Sequence, residues 1–317
     1  MIVEVEGVHK SFKDVEALRG LDLEVAEGEI LGVLGPNGAG KTTTINILTT
    51  LMRPDAGSVR IAGIDVLADP AAARPLIGLT GQFAALDGNL TARENLVLFG
   101  RLFKLGARDA ARRAEELLDE FSLTDAADRR TVTFSGGMRR RLDLAASMIG
   151  RPRVLFLDEP TTGLDPRSRN MLWDVVRDLR AEGVTVFLTT QYLAEADELA
   201  DRIVVIDKGT VIAEGTPARL KELVGGAVCE IVVGEDIRHQ VGSVLAARWE
   251  ITHAESQIVV PADGAATLFD VVRLLDAERL MPESIGLRHP TLDDVFLALT
   301  GSASEEDPSS AGSVPVS

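Results

Sequence analysis

The stretch of sequence that decides the fold is Gly35-Pro36-Asn37-Gly38-Ala39-Gly40-Lys41-Thr42-Thr43. It follows the apolar run Ile30 to Leu34, which predicts a buried strand, and it leads into a segment with helical patterning. Glycines let the backbone N–H groups curl around phosphates, and the start of the helix adds a favourable positive partial charge. A strand, a glycine-rich loop and a helix in this order predict a phosphate-binding loop.

Two side chains of this loop have predicted roles, and one of these roles requires a carboxylate from elsewhere in the chain. Lys41 is predicted to reach the β- and γ-phosphates of a nucleoside triphosphate, and the Thr42 hydroxyl is predicted to bind Mg²⁺. A carboxylate at the end of a neighbouring strand must complete the metal's shell, and Asp158 ends the apolar run Val154 to Leu157. The next residue, Glu159, is predicted to act as the general base that polarises the attacking water.

Apolar runs of this kind recur along the first two thirds of the chain. From Ile2 to about Val224, short β-branched strands alternate with helical stretches, and a third central strand is predicted from Val184 to Leu188. The pattern predicts an α/β fold of the P-loop type, with a mainly parallel sheet flanked by helices. Ligands of such sheets bind at the carboxyl ends of the strands.

A helical subdomain is predicted as an insertion at about 91–150. Thr91, with Glu94 three residues later, forms a capping box that opens it. Further along, Ser135 is placed to cap another helix, and Gly136 and Gly137 leave the first N–H groups of that helix open to an anion. This predicts a second phosphate site. The following run, 139–141, consists of three arginines and is interpreted as a solvated helix face, because successive helical residues point in different directions.

A domain boundary is predicted after residue 224, where Gly225-Gly226 ends a helix that begins at Thr216-Pro217. Residues 225–301 are predicted to form a small α+β unit, and residues 302–317, rich in Ser and acidic residues, a disordered tail. The predicted strands and helices of this unit are Glu230 to Val233, Gln257 to Val260, Ala265 to Leu275 and Leu292 to Thr300. The apolar stripe on the last helix is interpreted as core packing, with a partner-binding face as the alternative.

Composition narrows the classes of protein to consider. Of 317 residues, 45% are hydrophobic and 26% charged, which is typical of a globular protein, and no apolar run is long enough to span a bilayer. The start lacks the pattern of a secretory signal, and a single cysteine excludes an internal disulfide, so we expect a cytoplasmic location. A formal charge of -16 makes a nucleic-acid partner unfavourable.

The stretch Thr133-Phe134-Ser135-Gly136-Gly137-Met138, followed by a helix, resembles the signature of the ATP-binding subunits of ABC transporters. The resemblance covers about residues 1–224. It implies ATP as the nucleotide and a head-to-tail dimer, in which ATP held by Lys41 and Thr42 of one copy is covered by Ser135 to Gly137 of the other. Phe134 and Met138 depart from the family's Leu and Gln, which weakens side-chain contacts but keeps the backbone donors.

The same resemblance implies roles for isolated polar residues. Gln82 matches the loop that senses Mg²⁺ and faces the membrane partner, and Asp165, within Gly163-Leu164-Asp165, matches the loop that crosses between copies. Phe12 matches the aromatic residue that stacks on adenine, with core packing as the alternative. Gln191 stands where the family has a histidine that contacts the γ-phosphate. Because an amide donates a hydrogen bond but carries no charge, we expect slow hydrolysis.

Two further stretches, 81–96 and Pro290 to Leu297, together with Gln191 resemble the daunorubicin-resistance type of this family. That resemblance implies a separate ATP-binding chain, peripheral to the cytoplasmic face of the cell membrane, that works with a separate permease to export antibiotics or similar amphipathic compounds. The ATPase subunit of a lipid or polysaccharide exporter is the alternative. A non-transport ABC protein acting on ribosomes or DNA is disfavoured by the single nucleotide domain and the acidic charge.

Overall fold

A computed structural model describes residues 1–81, 85–254 and 257–301, with the side chains of all of these except 253 and 254. The described chain divides into two compact units, Met1–Pro217 and a second unit that begins at Ala218. The division therefore falls one short helix before the boundary predicted at 224. That helix begins at Pro217, as the Thr216-Pro217 pattern predicts.

The strands of the first unit, in chain order, are β1 (Val3–Phe12), β2 (Val15–Val25), β3 (Ile30–Leu34), β4 (Ala56–Ile61), β5 (Ile64–Asp65), β6 (Ile77–Thr80), β7 (Val154–Asp158), β8 (Thr185–Thr190), β9 (Arg202–Asp207) and β10 (Thr210–Gly215). Its helices are α1 (Lys41–Leu48), α2 (Pro70–Ala73), α3 (Ala92–Leu102), α4 (Ala107–Glu120), α5 (Gly136–Ser147), α6 (Pro166–Ala181) and α7 (Leu193–Leu199). Helix α8 (Pro217–Glu222) spans the division between the units.

The central sheet has the strand order β10-β9-β3-β8-β7-β6. Strands β3 and β6 to β9 pair in parallel, and β10 pairs antiparallel with β9. Every residue of β3, β7 and β8 is buried. Successive residues of β7 enter different cores: Leu155 and Leu157 pack with the helices, whereas Val154 and Phe156 pack with α1 and the first three strands. Burial on both faces explains the continuous apolar runs from which the parallel sheet was predicted.

A second sheet of the first unit, which the sequence patterning did not predict, has the antiparallel order β2-β1-β4-β5. The predicted helical insertion is seen as α3, α4 and α5. Its opening capping box is confirmed in both directions, because Thr91 Oγ1 accepts the Glu94 N–H at 3.1 Å and Glu94 Oε2 accepts the Thr91 N–H at 2.8 Å. The insertion thus begins where its polar residues stabilise free helix amides.

The second unit contains β11 (Ala227–Val232), α9 (Glu235–Ala246), β12 (Thr252–Ala254), β13 (Gln257–Ala262), α10 (Ala265–Ala277), β14 (Ser284–Arg288) and α11 (Leu292–Thr300). Its strands form one antiparallel sheet in the order β12-β13-β11-β14. A β-α-β-β-α-β succession in this order is the ferredoxin-like arrangement. The predicted strands and helices are present, and α9, β12 and β14 were not predicted.

Burial decides the interpretation of the stripe on α11. Leu292, Val295 and Phe296 are buried, and Leu299 is 37% exposed. Three of the four apolar side chains therefore pack inside the protein, which agrees with the core interpretation. Cys229 is also buried and free, as a small hydrophobic residue would be. Within the described ranges, none of the helices combines the length and the apolarity needed to cross a membrane.

Candidate active site

The phosphate-binding loop lies between β3, which ends at Leu34, and α1, which begins at Lys41. Two of its glycines have backbone angles that disfavour side chains, with φ of 83° at Gly38 and 112° at Gly40. A Cβ atom on Gly35 would lie 2.3 Å from the carbonyl oxygen of Ile206. The glycines are therefore required by the backbone path as well as by the approach of a phosphate.

Lys41 is buried at the start of α1 and turns back over the loop that precedes it. Its Nζ donates hydrogen bonds to the carbonyl oxygens of Gly35, at 2.7 Å, and Pro36, at 3.2 Å. The same Nζ lies 3.7 Å from Glu159 Oε1. Lys41 thus brings the phosphate-binding loop next to the end of β7. The sequence analysis predicted that the carboxylates of the site would lie there.

The predicted metal ligands meet at the carboxyl ends of the strands. Thr42 Oγ1 lies 3.1 Å from Asp158 Oδ2, and Asp158 is buried. A hydroxyl and a carboxylate oxygen are the donors that Mg²⁺ prefers, so these two residues fit the ion. Thr189 Oγ1 donates to Asp158 Oδ1 at 2.6 Å and so orients the carboxylate. Sequence reasoning missed Thr189, since no local motif marks it.

Glu159 follows Asp158 in an uncommon backbone conformation, with a φ of 48°. Its N–H donates to the carbonyl oxygen of Thr189 at 3.0 Å, which extends the β7 to β8 pairing by one residue. A left-handed conformation is rare in residues with a side chain and is held in place only by its surroundings. Here it turns the chain after β7, and Glu159 Oε1 lies near Lys41.

Sheet order brings three loops together at this edge. Because β8 lies between β3 and β7, the residue after β8 is located between the phosphate loop and Glu159. Leu34 pairs with Thr190, and Asp158 pairs with Thr189. Gln191 is the first residue beyond β8 and is half-buried. The register therefore places Gln191 at the edge of the sheet that carries the phosphate-binding loop and Glu159.

The predicted second phosphate site begins helix α5. Ser135 caps the helix, with its Oγ accepting the Met138 N–H at 3.3 Å, and the next free amides belong to Gly136 and Gly137. Ser135 and Gly136 are exposed. A Cβ on Gly137 would lie 2.4 Å from Ser168 Oγ, so packing against α6 demands glycine there. The turn has the open amides that bind an anion.

Asp165, predicted to cross between copies, caps helix α6. Its carboxylate accepts the Ser168 N–H at 2.9 Å and the Ser168 hydroxyl at 2.6 Å, and these hydrogen bonds lower the pKa of Asp165. Asp165 is exposed, and Gly163 before it has a φ of 76°. The cap fixes this exposed loop in a defined shape.

The two remaining predicted site residues are Phe12 and Gln82. Phe12 ends β1 and is 44% exposed, so the core-packing alternative is wrong for it. Lys10 Nζ lies 5.7 Å from the centroid of the Phe12 ring. An exposed ring at a strand end is free to stack on a ligand. Gln82 lies outside the described residues.

The interpretation of the three arginines as a solvated face is wrong for the middle one. Arg140 is buried, and its guanidinium donates to the carbonyl oxygens of Pro160, at 2.7 Å, Asp158, at 3.2 Å, and Gly81. Arg140 lies three residues after buried Gly137 and four before buried Leu144. This helical spacing is the signal that could have found it.

A buried acid also escaped the sequence analysis. Glu195, on α7, is fully buried, and its Oε1 accepts the Trp173 Nε1–H at 3.1 Å. Burial raises the pKa of this carboxyl, against hydrogen bonds from Thr190 and Trp173. Because Thr190 ends β8, Glu195 lies next to the end of that strand.

Comparison with known proteins agrees with this geometry. Residues 18–162 match the ABC transporter family. The daunorubicin resistance ATP-binding protein DrrA2 of Streptomyces coeruleorubidus is 55% identical over 309 residues, 96% of each chain. The doxorubicin resistance ATP-binding protein DrrA of Mycobacterium tuberculosis (strain CDC 1551 / Oshkosh) is 49% identical, over 96% of this chain and 95% of that one. The Nod factor export ATP-binding protein I of Rhizobium sp. (strain N33) is 40% identical, over 96% and 98%.

Among solved structures, a dimeric ATP-binding cassette in a post-hydrolysis state, bound to ADP and Pi, superposes with a TM-score of 0.62. It is 28% identical and covers 68% of this chain and 98% of its own. The shared part is the nucleotide-binding fold. The chain belongs to the ABC transporter family, in the group of daunorubicin and doxorubicin resistance ATP-binding proteins.

Proposed function

We propose that this chain hydrolyses ATP to drive the export of antibiotics or similar amphipathic compounds through a separate membrane permease. The observation that carries the ATPase is the convergence of Lys41, Thr42, Asp158 and Glu159 at one edge of the sheet. The export role is supported by relatives that are named for drug resistance and for Nod factor export. The chain acts at the cytoplasmic face of the membrane, where the permease holds it.

In the proposed reaction, Lys41 binds the β- and γ-phosphates and Phe12 stacks on the adenine. The backbone donors of Gly35 to Thr43 enclose the phosphates. Glu159 accepts the proton of the attacking water, a role worth about 10² to 10⁴ in rate. Thr42, Asp158 and Gln82 would hold Mg²⁺, which would supply positive charge next to the phosphates. Gln191 donates a hydrogen bond to the γ-phosphate.

The second copy of the chain completes the site in this proposal. The open amides of Ser135 to Gly137 bind the γ-phosphate of ATP held by the partner, and Asp165 crosses the interface. Their support is exposure: Ser135, Gly136 and Asp165 face solvent at the starts of helices. Each copy alone would have an incomplete site.

Mixing two defective proteins tests the split site. One variant carries Lys41→Ala, and the other carries Gly137→Ala, which forces a Cβ against Ser168. Each homodimer is expected to be nearly inactive, while the mixed dimer regains one intact site and hydrolyses ATP faster than either homodimer, at less than half of the wild-type turnover per dimer. No recovery on mixing, with both proteins folded, would contradict a site shared between copies.

We place the permease contact in an apolar groove of about 290 Å³ in the first unit. Its lining includes Leu51, which is 67% exposed, Phe103, which is 42% exposed, and Ala85, which follows the Gln82 segment closely. An exposed apolar groove favours the insertion of a helix from a partner. The export names of the relatives favour a permease as that partner.

The function is tested by measuring MgATP hydrolysis with and without membranes that contain the candidate permease. We expect the permease to raise turnover, Glu159→Gln to abolish it while MgATP still binds, and Leu51→Glu to remove only the stimulation. Hydrolysis by Glu159→Gln at the wild-type rate would overturn the catalytic assignment. Stimulation that survives Leu51→Glu and Phe103→Glu would remove the groove from the interface.

An exporter of lipids or polysaccharides is the second candidate, because a relative with 40% identity is named for Nod factor export. Both candidates share the ATPase and differ in cargo. Vesicles that contain the subunit and the permease distinguish them: ATP-dependent uptake of an anthracycline into inverted vesicles supports the first, and uptake of a lipid-linked glycan only supports the second.

A further inference from the structure

The turn that carries Glu159 needs support from outside its own strand. Glu159 is a non-glycine residue with a φ of 48°, and its hydrogen bond from N–H to the Thr189 carbonyl fixes only one side of it. The carbonyl groups on both sides, those of Asp158 and Pro160, point away from this pairing and need donors of their own. Whatever binds them sets the direction of the Glu159 side chain.

Both carbonyl groups are bound by the same side chain. Arg140 Nε donates to the Pro160 oxygen at 2.7 Å and Nη2 donates to the Asp158 oxygen at 3.2 Å, while Nη1 donates to the Gly81 oxygen. One planar guanidinium therefore joins the residues that flank Glu159 to the residue that follows β6. A lysine ammonium lacks this fork and could not keep all three bonds in the same geometry.

Burial makes these bonds strong and their loss costly. Arg140 has 9% of its surface exposed, and desolvation lowers the pKa of its guanidinium, opposed by the charges of Asp143, Glu195 and Asp158. Asp143, one turn further along α5, lies 3.7 Å from Arg140 Nη1 and accepts the Ala85 N–H at 3.0 Å. Helix α5 therefore holds its buried cation with a counter-ion on the same face.

Arg140 also lies close to the start of its helix, where the second phosphate site is predicted. Helix α5 begins at Gly136, directly after Ser135, and Arg140 lies about one turn along it. Backbone hydrogen bonds along the helix keep the distances between its residues fixed. The open amides at its start and the guanidinium that supports Glu159 therefore shift together.

We propose that Arg140 is a positioning residue that ties the Glu159 turn to the start of α5, so that nucleotide bound there by the partner copy sets the base of this copy's own site. The inference rests on the proposed head-to-tail dimer. In each copy, α5 contacts the nucleotide of one site and, through Arg140, supports the base of the other. The two sites of the dimer are thereby coupled in a closed loop.

The first experiment compares Arg140→Lys and Arg140→Met with Arg141→Lys. Arg141 is the matched control, because it lies on the same helix and donates to backbone carbonyls at Phe121 and Ser122, away from the site. We expect both Arg140 variants to lose tenfold or more in kcat, with KM and the affinity for a fluorescent ATP analogue within threefold of the wild type. Arg141→Lys is expected to keep the wild-type kcat.

The second experiment measures the coupling in mixed dimers in which one copy carries Lys41→Ala. In the wild-type background, emptying one site is expected to lower the turnover of the remaining site several-fold. When the intact copy carries Arg140→Lys, emptying the other site is expected to change its turnover no further. Circular dichroism and thermal unfolding check that each variant is folded. If Arg140→Met does not fold, Arg140→Lys alone is used for the comparison.

Three outcomes overturn the inference: an unchanged kcat in both Arg140 variants, an equal loss in Arg141→Lys, or an equal effect of the empty site in both backgrounds. These outcomes are distinct from failure of the proposed function. A wild-type protein that does not hydrolyse MgATP would refute the ATPase itself. Normal wild-type turnover with unaffected Arg140 variants would refute only the positioning role.

Discussion

The two units of the chain bury different kinds of side chain. Every polar or charged side chain that is buried in the described part of the molecule lies in the first unit, between Lys41 and Glu195. The second unit buries a cluster built from residues such as Cys229, Ile231 and Leu245, all of them apolar or weakly polar. Buried polar groups cost free energy unless they are paired. In the first unit this cost is offset by hydrogen bonds, such as those from Lys41 to the Gly35 carbonyl and from Asn95 to the carbonyls of Asp87 and Thr91.

The difference separates chemistry from stability. In the first unit, substitution of a buried polar residue should change ATP turnover more than the stability of the fold. In the second unit, substitution of a buried apolar residue should change stability more than ATP turnover. The two tryptophans, Trp173 in the first unit and Trp249 in the second, allow the unfolding of each unit to be followed separately by fluorescence.

Among the substitutions that compare the two units, the largest effect is expected for Lys41→Ala. This change removes a buried cation that we propose binds the phosphates, and the loss of one such donor lowers turnover by about 10² to 10³. Steady-state hydrolysis at saturating MgATP measures it. Because α1 keeps its hydrophobic contacts, the unfolding midpoint reported by Trp173 should change little. Turnover within tenfold of the wild type would show that Lys41 does not contact the phosphates.

The opposite behaviour is expected for Leu245→Ala in the second unit. Leu245 is fully buried, and such a truncation destabilises by about 2–5 kcal/mol through lost burial and the cavity that remains. Urea unfolding in a Trp173→Phe background, which leaves Trp249 as the reporter, measures it. ATP hydrolysis by the folded variant should stay within twofold. A fall in kcat as large as that of Lys41→Ala would break the separation between the units.

A smaller effect is expected at Gln191. Replacement by Ala removes the hydrogen bond that we propose to the γ-phosphate and should lower kcat about tenfold, which corresponds to about 1.4 kcal/mol. Replacement by His restores a group that can carry charge and should raise kcat above the wild type. Turnover at saturating ATP is the measurement. An Ala variant as fast as the wild type would remove Gln191 from the site.

The smallest effect is a pH dependence that arises from Glu195. Because burial raises the pKa of this carboxyl in the folded protein, its stabilising contribution is complete below the ordinary pKa of a glutamate and is lost as the pH rises through the folded value. Glu195→Gln keeps the shape without the ionisation. Unfolding curves from Trp173 should therefore diverge in favour of the Gln variant as the pH is raised from 4 to 8. Parallel curves would indicate that Glu195 has no raised pKa.

Much of the active site was predictable because its residues are close in sequence. The loop from Gly35 to Thr43 contains its own donors, and the bond from Lys41 to the Gly35 carbonyl spans six residues. Asp158 and Glu159 were predicted because they end an apolar run, a pattern that marks the edge of a buried strand. The capping box at Thr91 was predictable for the same reason, since a cap is a contact within one turn of chain.

The contacts that tertiary structure alone decided join segments that are far apart. Thr189 reaches Asp158 across 31 residues, and Arg140 reaches the Gly81 carbonyl across 59 residues. Both depend on sheet order and helix packing, which place β8 between β3 and β7 and turn one face of α5 toward them. Apolar runs identify strands without fixing their neighbours. The sequence by itself therefore predicted the residues that we propose bind nucleotide, and the packing of distant elements decided which residues support them.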